Sequence, residues 1–157
     1  MKIGIIVYSQ TGNTLSIAEK LKERLAAAGH SVEIEQVTVA GGRKAGDKEF
    51  RLDARPEVEQ YDAIVFGSAV EAFSLSPVLT AYLRGIGTLG GKTVACLVTQ
   101  FFPYPWMGGN RAIRQMRRIC LAKAGSVHGS AVVNWAKSRR ETTTARAVNR
   151  LSGLFQP

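Results

Sequence analysis

The residues best equipped for chemistry form one short run, Ser9-Gln10-Thr11-Gly12-Asn13-Thr14. An apolar segment, Lys2 to Tyr8, leads into it, and a helical pattern from Leu15 to Ala28 leads out. A turn between a strand and a helix N-terminus gathers unbonded N–H groups and the positive end of the helix dipole. Such a spot binds anions, phosphate above all. Ser9, Thr11 and Thr14 can add hydroxyl donors, and Gly12 permits a close backbone approach or a positive φ. Asn13 tolerates the same conformation. The run has no Gly-Lys-Ser/Thr, so it lacks the lysine of a triphosphate-binding loop. It lacks the G-x-G-x-x-G spacing of a dinucleotide site. It also lacks the cysteine and arginine of a cysteine phosphatase. Neutral amides and hydroxyls suit a tightly held monophosphate. The same residue types also build ordinary helix caps, so the run alone leaves both readings open.

The elements that must position this run follow from periodicity. Lys2–Tyr8 is apolar throughout, as a strand covered on both faces requires. Ala18, Leu21, Leu25 and Ala28 form a helical stripe, and Gly29 stops it. Ser31–Val37 alternates like a strand near an edge. Residues 38–60 show no amphipathic helix, only loop and a short helical turn after Pro56. Tyr61–Gly67 reads as a second central strand, and Ser68–Ser76 as a loop. Pro77 opens a helix with Leu79, Tyr82 and Leu83 inward, ended by Gly85 and Gly87. Lys92–Gln100 is a strand, Phe101–Gly109 a loop, and Asn110–Lys123 a helix with Ile113, Met116 and Cys120 inward. Ser126–Trp135 is the last strand, and Glu141–Leu154 the last helix with Val148, Leu151 and Leu154 inward. Strands alternating with helices predict an α/β doubly wound fold. The 157 residues suffice for one domain, 1–157, around one core.

Ser-x-Thr-Gly-Asn-Thr after the first strand resembles the phosphate loop of the flavodoxin family. The resemblance runs over nearly the whole chain and points to the short-chain form. It implies FMN as cofactor and a flavodoxin-like five-stranded parallel sheet, order 2-1-3-4-5, with helices on both faces. Ligands of such sheets bind beyond the strands' C-terminal ends. Three loops meet there, and Gln100 ends the strand before the third. The first is the phosphate run, Gln10 included. The second is Ser68-Ala69-Val70-Glu71-Ala72-Phe73, where the resemblance implies contact between backbone and the flavin N5 edge. Glu71 within it is either a flavin-edge group or simply exposed. The third carries Phe101, Phe102, Tyr104 and Trp106, four aromatics in a segment expected at the surface. Stacking on a flat ring would explain them, and Tyr104 and Trp106 are the candidates. The alternative is that Phe101 and Phe102 cap the core while Trp106 packs on the next helix. Gly108, Gly109 and Asn110 lead into that helix and can present N–H groups to the flavin carbonyl edge.

Composition bounds the rest. The apolar run after Lys2 is too short for a signal peptide or a membrane span. Cys96 and Cys120 have no paired spacing and read as buried free thiols, in keeping with a cytoplasmic protein. His30 and His128 have no local nucleophile or acid, so neither a hydrolytic triad nor a metal cluster is supported.

The net charge of +9 lies entirely in residues 101–157, which hold ten Lys/Arg against one acid, Glu141. Arg111, Arg114 and Arg118 line one helix face, which reads as a solvated surface without a nucleic-acid motif. Flavodoxins are typically acidic, so this chain departs from the family it resembles. The expectation is a non-catalytic, single-electron carrier with FMN, monomeric or weakly homo-oligomeric, binding neither nucleic acid nor membrane. Its basic end would steer redox partners that are acidic at the contact surface. The alternative is an FMN-dependent NAD(P)H:quinone reductase, which needs room for a nicotinamide on the flavin face.

Overall fold

The computed structural model describes residues 1–155 except Ala45, Pro103 and Pro105. The two prolines belong to the expected aromatic loop and lie outside the described residues. Strand β1 (Lys2–Tyr8) is buried from Ile3 onward. Helix α1 (Asn13–Ala27) turns Ile17, Ala18, Leu21 and Leu25 inward. Gly29, at φ +96°, follows its end in the left-handed conformation that stops helices. Ala28 lies past the helix and is exposed, so the inward stripe ends at Leu25, earlier than its spacing suggests.

The chain continues through β2 (Ser31–Gln36), β3 (Ala63–Glu71), β4 (Ser74–Leu75), α2 (Pro77–Gly85) and β5 (Thr93–Gln100). It closes with α3 (Gly109–Ala122), β6 (Ser126–Asn134) and α4 (Arg140–Ser152). The sheet order is β2-β1-β3-β5-β6, all parallel, with the two-residue β4 paired antiparallel to β3. Without β4, this is the expected 2-1-3-4-5 order.

Two apolar clusters sandwich the sheet. One joins it to α2 and α3 through Leu79, Tyr82, Met116 and Cys120. The other joins it to α1 and α4 through Leu21, Leu25, Ala147 and Leu151. The alternating β3 residues Ile64 and Phe66 fall in the first cluster, Ala63 and Val65 in the second, as the two-residue period of a strand requires. Gly4 has no side chain because a Cβ there would stand 2.6 Å from the Tyr61 ring. Both cysteines are free and buried. The hydrogen bond that the Cys96 thiol gives to Cys120, together with burial, raises that thiol well above its usual range.

Two sequence expectations change. The expected strand Tyr61–Gly67 runs on to Glu71, and the expected loop Ser68–Ser76 is mostly a hairpin. Its turn is Ala72-Phe73, both with positive φ (49° and 61°). A two-residue hairpin favours that conformation, but Asn and Gly usually supply it. The 38–60 segment holds no helix among its described residues, as expected, and a turn closed by the Tyr61 N–H on the Val58 carbonyl (3.3 Å) follows Pro56, but the rest is not plain loop. An antiparallel bridge between Val39 and Leu52 folds it back on itself instead.

Candidate functional site

The C-terminal ends of β1, β3 and β5 open onto a cavity of about 200 Å³. The phosphate-run residues Ser9, Gln10, Thr11, Asn13 and Thr14 line it, with Ala69, Val70, Glu71 and Gln100 from the other loops. The structure therefore brings together most of the residues the sequence singled out. Phe101 of the aromatic loop lines it too, and so do Tyr8, Thr99 and Trp135, to which the sequence reading assigned no part in the site.

The turn is built from its own backbone. Gly12 takes φ +88° and begins the helix, as expected for it. The Leu15 N–H donates to Ser9 Oγ (3.1 Å), and the Ser16 N–H to the Gly12 carbonyl (3.0 Å). The N–H groups of Asn13 and Thr14 precede the first intrahelical bond and stay available to a ligand. Thr14 is buried, its hydroxyl 3.0 Å from that of Thr99 on β5. Thr11 is exposed at the rim.

Glu71 is not the exposed group that one reading of the sequence suggested. Arg43, from the irregular 38–60 segment, donates from Nη2 to its Oε1 (2.8 Å) and from Nη1 to its Oε2 (3.2 Å). The two side chains are 2% and 7% exposed. The Gly46 N–H adds a third bond at 2.8 Å. Burial works against the charged form of Glu71. The hydrogen bonds from Arg43, Ser76 and Gly46 outweigh it, so its carboxyl sits below the usual range. Arg43 also lies over the rings of Tyr8 and Phe50, and its carbonyl accepts from Gln10 Nε2. The segment without a helix is thus tied across the cavity to the phosphate run. Periodicity could not reveal this, since Arg43 and Glu71 stand 28 residues apart.

The aromatic loop is held from outside. Gln100 Nε2 donates to the carbonyls of Phe102 (2.8 Å) and Tyr104 (2.7 Å), and Asn134 Nδ2 donates to Phe102 as well (2.9 Å). Gln100 Oε1 is buried without a partner. A Cβ on Gly109 would stand 2.4 Å from that oxygen, and one on Gly108 would stand 2.9 Å from Phe73 Cα, so both glycines are required by crowding.

The aromatics do not cap the core: Phe101 is 63% exposed and Trp106 71%. Trp106 stacks on Tyr104, ring centroids 5.7 Å apart, and Phe73 on Phe102 at 4.9 Å. Gly109 and Asn110 belong to the first turn of α3. Ser68 is fully buried within β3, with its hydroxyl on the Ala69 carbonyl (3.2 Å), so its side chain faces the protein. Gln115, which the sequence reading missed, fixes the hairpin by accepting from the Leu75 N–H (2.8 Å) and donating to Ser74 Oγ (3.1 Å).

This arrangement suits a phosphomonoester. It offers first-turn N–H groups and hydroxyls, and its one lining carboxylate, Glu71, is already neutralised by Arg43. Among the described residues no cluster of His, Cys, Asp and Glu could hold a metal ion. No described helix is long and apolar enough to cross a membrane.

Compared with models of known protein families, the chain matches none. Solved structures resemble it over nearly its whole length. A flavodoxin from Streptococcus pneumonia TIGR4 superposes with a TM-score of 0.72 at 15% identity, covering 98% of this chain and 96% of that one. Oxidised Flavodoxin 2 from Bacillus cereus gives 0.70 at 23% identity, covering 98% and 97%. A flavoprotein from Lactobacillus acidophilus NCFM, solved in complex with FMN, gives 0.63 at 18% identity, covering 93% and 97%. The fold of this chain is flavodoxin-like.

Proposed function

We propose that this chain binds FMN and works in the cytoplasm as a carrier of single electrons between larger redox proteins. The observation that carries the reading is the turn at residues 9–14. Its free N–H groups and hydroxyls are assembled around a cavity whose one carboxylate among the described residues, Glu71, is paired away. A dianionic phosphate gains most from such donors. The cavity, about 200 Å³, has room for a phosphate and part of a sugar chain, and the exposed aromatics beside it offer faces for a flat ring. The FMN complex of the Lactobacillus flavoprotein supports the choice of flavin.

In this reading Ser9, Thr11, Asn13 and Thr14 hold the phosphate. Ala69 and Val70 present backbone to one edge of the ring. Tyr104 and Trp106, stacked and exposed, offer the aromatic face that covers the ring. Bound FMN supplies the one-electron chemistry, and the chain orients it and excludes water from one side. No residue is asked to act as acid, base or nucleophile.

The purified protein is expected to be yellow and to release FMN, not FAD, on denaturation. Mixed anaerobically with NADPH alone, it is expected to stay oxidised over many seconds. Rapid bleaching would instead identify an FMN-dependent NAD(P)H:quinone reductase. A colourless protein that takes up no added FMN would end both readings.

A further inference from the structure

Strand β6 is the last of the sheet and, among the described residues, pairs only with β5 and has no strand along its outer edge. A cleft of about 590 Å³ lies along that edge, over Ser130, Ala131 and Val132. Its walls come from opposite faces of the sheet. Helix α3 supplies Ile113 and Arg114, and α4 with its N-cap supplies Arg139, Arg146 and Arg150. Among the described residues, no carboxylate lies within salt-bridge distance of Arg114, Arg146 or Arg150. The one acid of this third of the chain, Glu141, lines a different depression, against α1.

We propose that this cleft docks an extended segment of a partner protein, in which acidic and apolar residues alternate, as an added strand on β6. The dimensions agree. Arg139 to Arg150 spans about 16 Å along a helix at about 1.5 Å per residue. Five strand residues span about the same length. Successive side chains of an added strand point to opposite faces. One set therefore meets the three arginines of the α4 wall, and the other meets Ile113 and the stem of Arg114. Thr143 already closes the upper end of this edge, accepting from the Asn134 N–H (3.0 Å) and donating to its carbonyl (3.2 Å). The edge groups below it, at Ser130 and Val132, therefore supply the backbone bonds, as in other strand additions. The cleft also abuts the aromatic loop. Gln100 and Asn134 line it while donating to Phe102, and the Arg139 guanidinium lies 5.6 Å from the Tyr104 ring centroid. A segment seated here thus ends beside the site assigned to FMN. The inference rests on the electron-carrier reading only for the partner's being a redox protein.

The test uses the whole chain and a fluorescein-labelled, end-capped octapeptide of alternating Glu and Val, followed by fluorescence anisotropy. Two further peptides carry N-methyl groups on the odd or on the even amides, blocking one edge each. A fourth has the same composition in blocks. The alternating peptide is expected to bind with an affinity that falls as salt rises. The double change Arg146→Glu/Arg150→Glu is expected to weaken it about tenfold or more. One N-methyl series should lose binding while the other keeps it, and the block peptide should bind worse. Equal binding of all four peptides would reduce the cleft to unspecific charge and overturn the proposal. So would no binding, or preferential capture of duplex DNA or NADPH by the same arginines. FMN content, measured in the same samples, separates the two claims. Peptide binding without FMN binding sinks the carrier reading and leaves the cleft. FMN binding with peptide affinity unmoved by the double change sinks the cleft alone.

Discussion

The turn at residues 9–14 lines the cavity, the aromatic loop reaches it at Phe101, and the two are built in opposite ways. The turn is self-supporting: a left-handed Gly12 and the cap from Ser9 fix it within a few residues. The loop has little of its own. Gln100 and Asn134 hold its carbonyls, and the Ala72-Phe73 hairpin packs against Gly108 and Phe102. Selectivity for a phosphate therefore rests on a local motif. The grip on a ring rests on contacts gathered from three strands. A change in the turn should discriminate between phosphorylated and unphosphorylated flavin, and a change around the loop should not.

The largest separation is expected for Thr14→Val. It removes a hydroxyl from the anion site and leaves that of Thr99 alone. FMN binding should weaken by about 1.5–3 kcal/mol, the worth of a hydrogen bond to a charged group. Riboflavin, which has no phosphate, should bind as before. Parallel losses by calorimetry would mean that Thr14 serves packing and not the anion. Thr11→Ala, at the exposed rim, should give the same pattern within that range.

Gln100→Ala reverses the pattern. It releases two loop carbonyls, so FMN and riboflavin should weaken together, by about 1–2 kcal/mol. A loss confined to FMN would break the comparison.

Glu71→Gln tests the tie between the two regions. The folded-state value of Glu71 lies below its ordinary 4.5, so the ionised group favours the folded state. That contribution is present at neutral pH and is lost as the pH falls below 4.5 through the folded-state value. Urea unfolding at pH 7 should show the variant less stable by about 1–3 kcal/mol. The two proteins should converge in acid. A constant offset at all pH values would remove the Arg43 pair from the account.

Trp106→Ala should have the smallest effect, about 0.5–1.5 kcal/mol on either flavin, the range of an aromatic pair. It should also raise the fluorescence yield of bound flavin. An unchanged yield would remove Trp106 from the ring contact.

The same contrast explains what could be read from the chain. The turn at residues 9–14 and the five long strands were legible because each rests on local spacing, whereas the order of the sheet followed only from the resemblance to flavodoxins. The hairpin was not, because Ala72 and Phe73 adopt positive φ without the Gly or Asn that signals such a turn. Arg43 was not, because its value lies in a partner far along the chain and its own segment has no periodicity. The aromatic loop was half legible. Four aromatics marked a surface needing explanation, but composition could not tell core caps from exposed faces. The coincidence of the basic residues with the open edge of β6 required the topology itself.

The most direct test of the central claim compares FMN with riboflavin on the apoprotein. The account predicts that FMN binds at least about a hundredfold more tightly, since several charge-assisted bonds to the phosphate separate the two ligands. The margin should shrink in Thr14→Val. Equal affinities for FMN and riboflavin in the unmodified protein would contradict the assignment of residues 9–14 as a phosphate site.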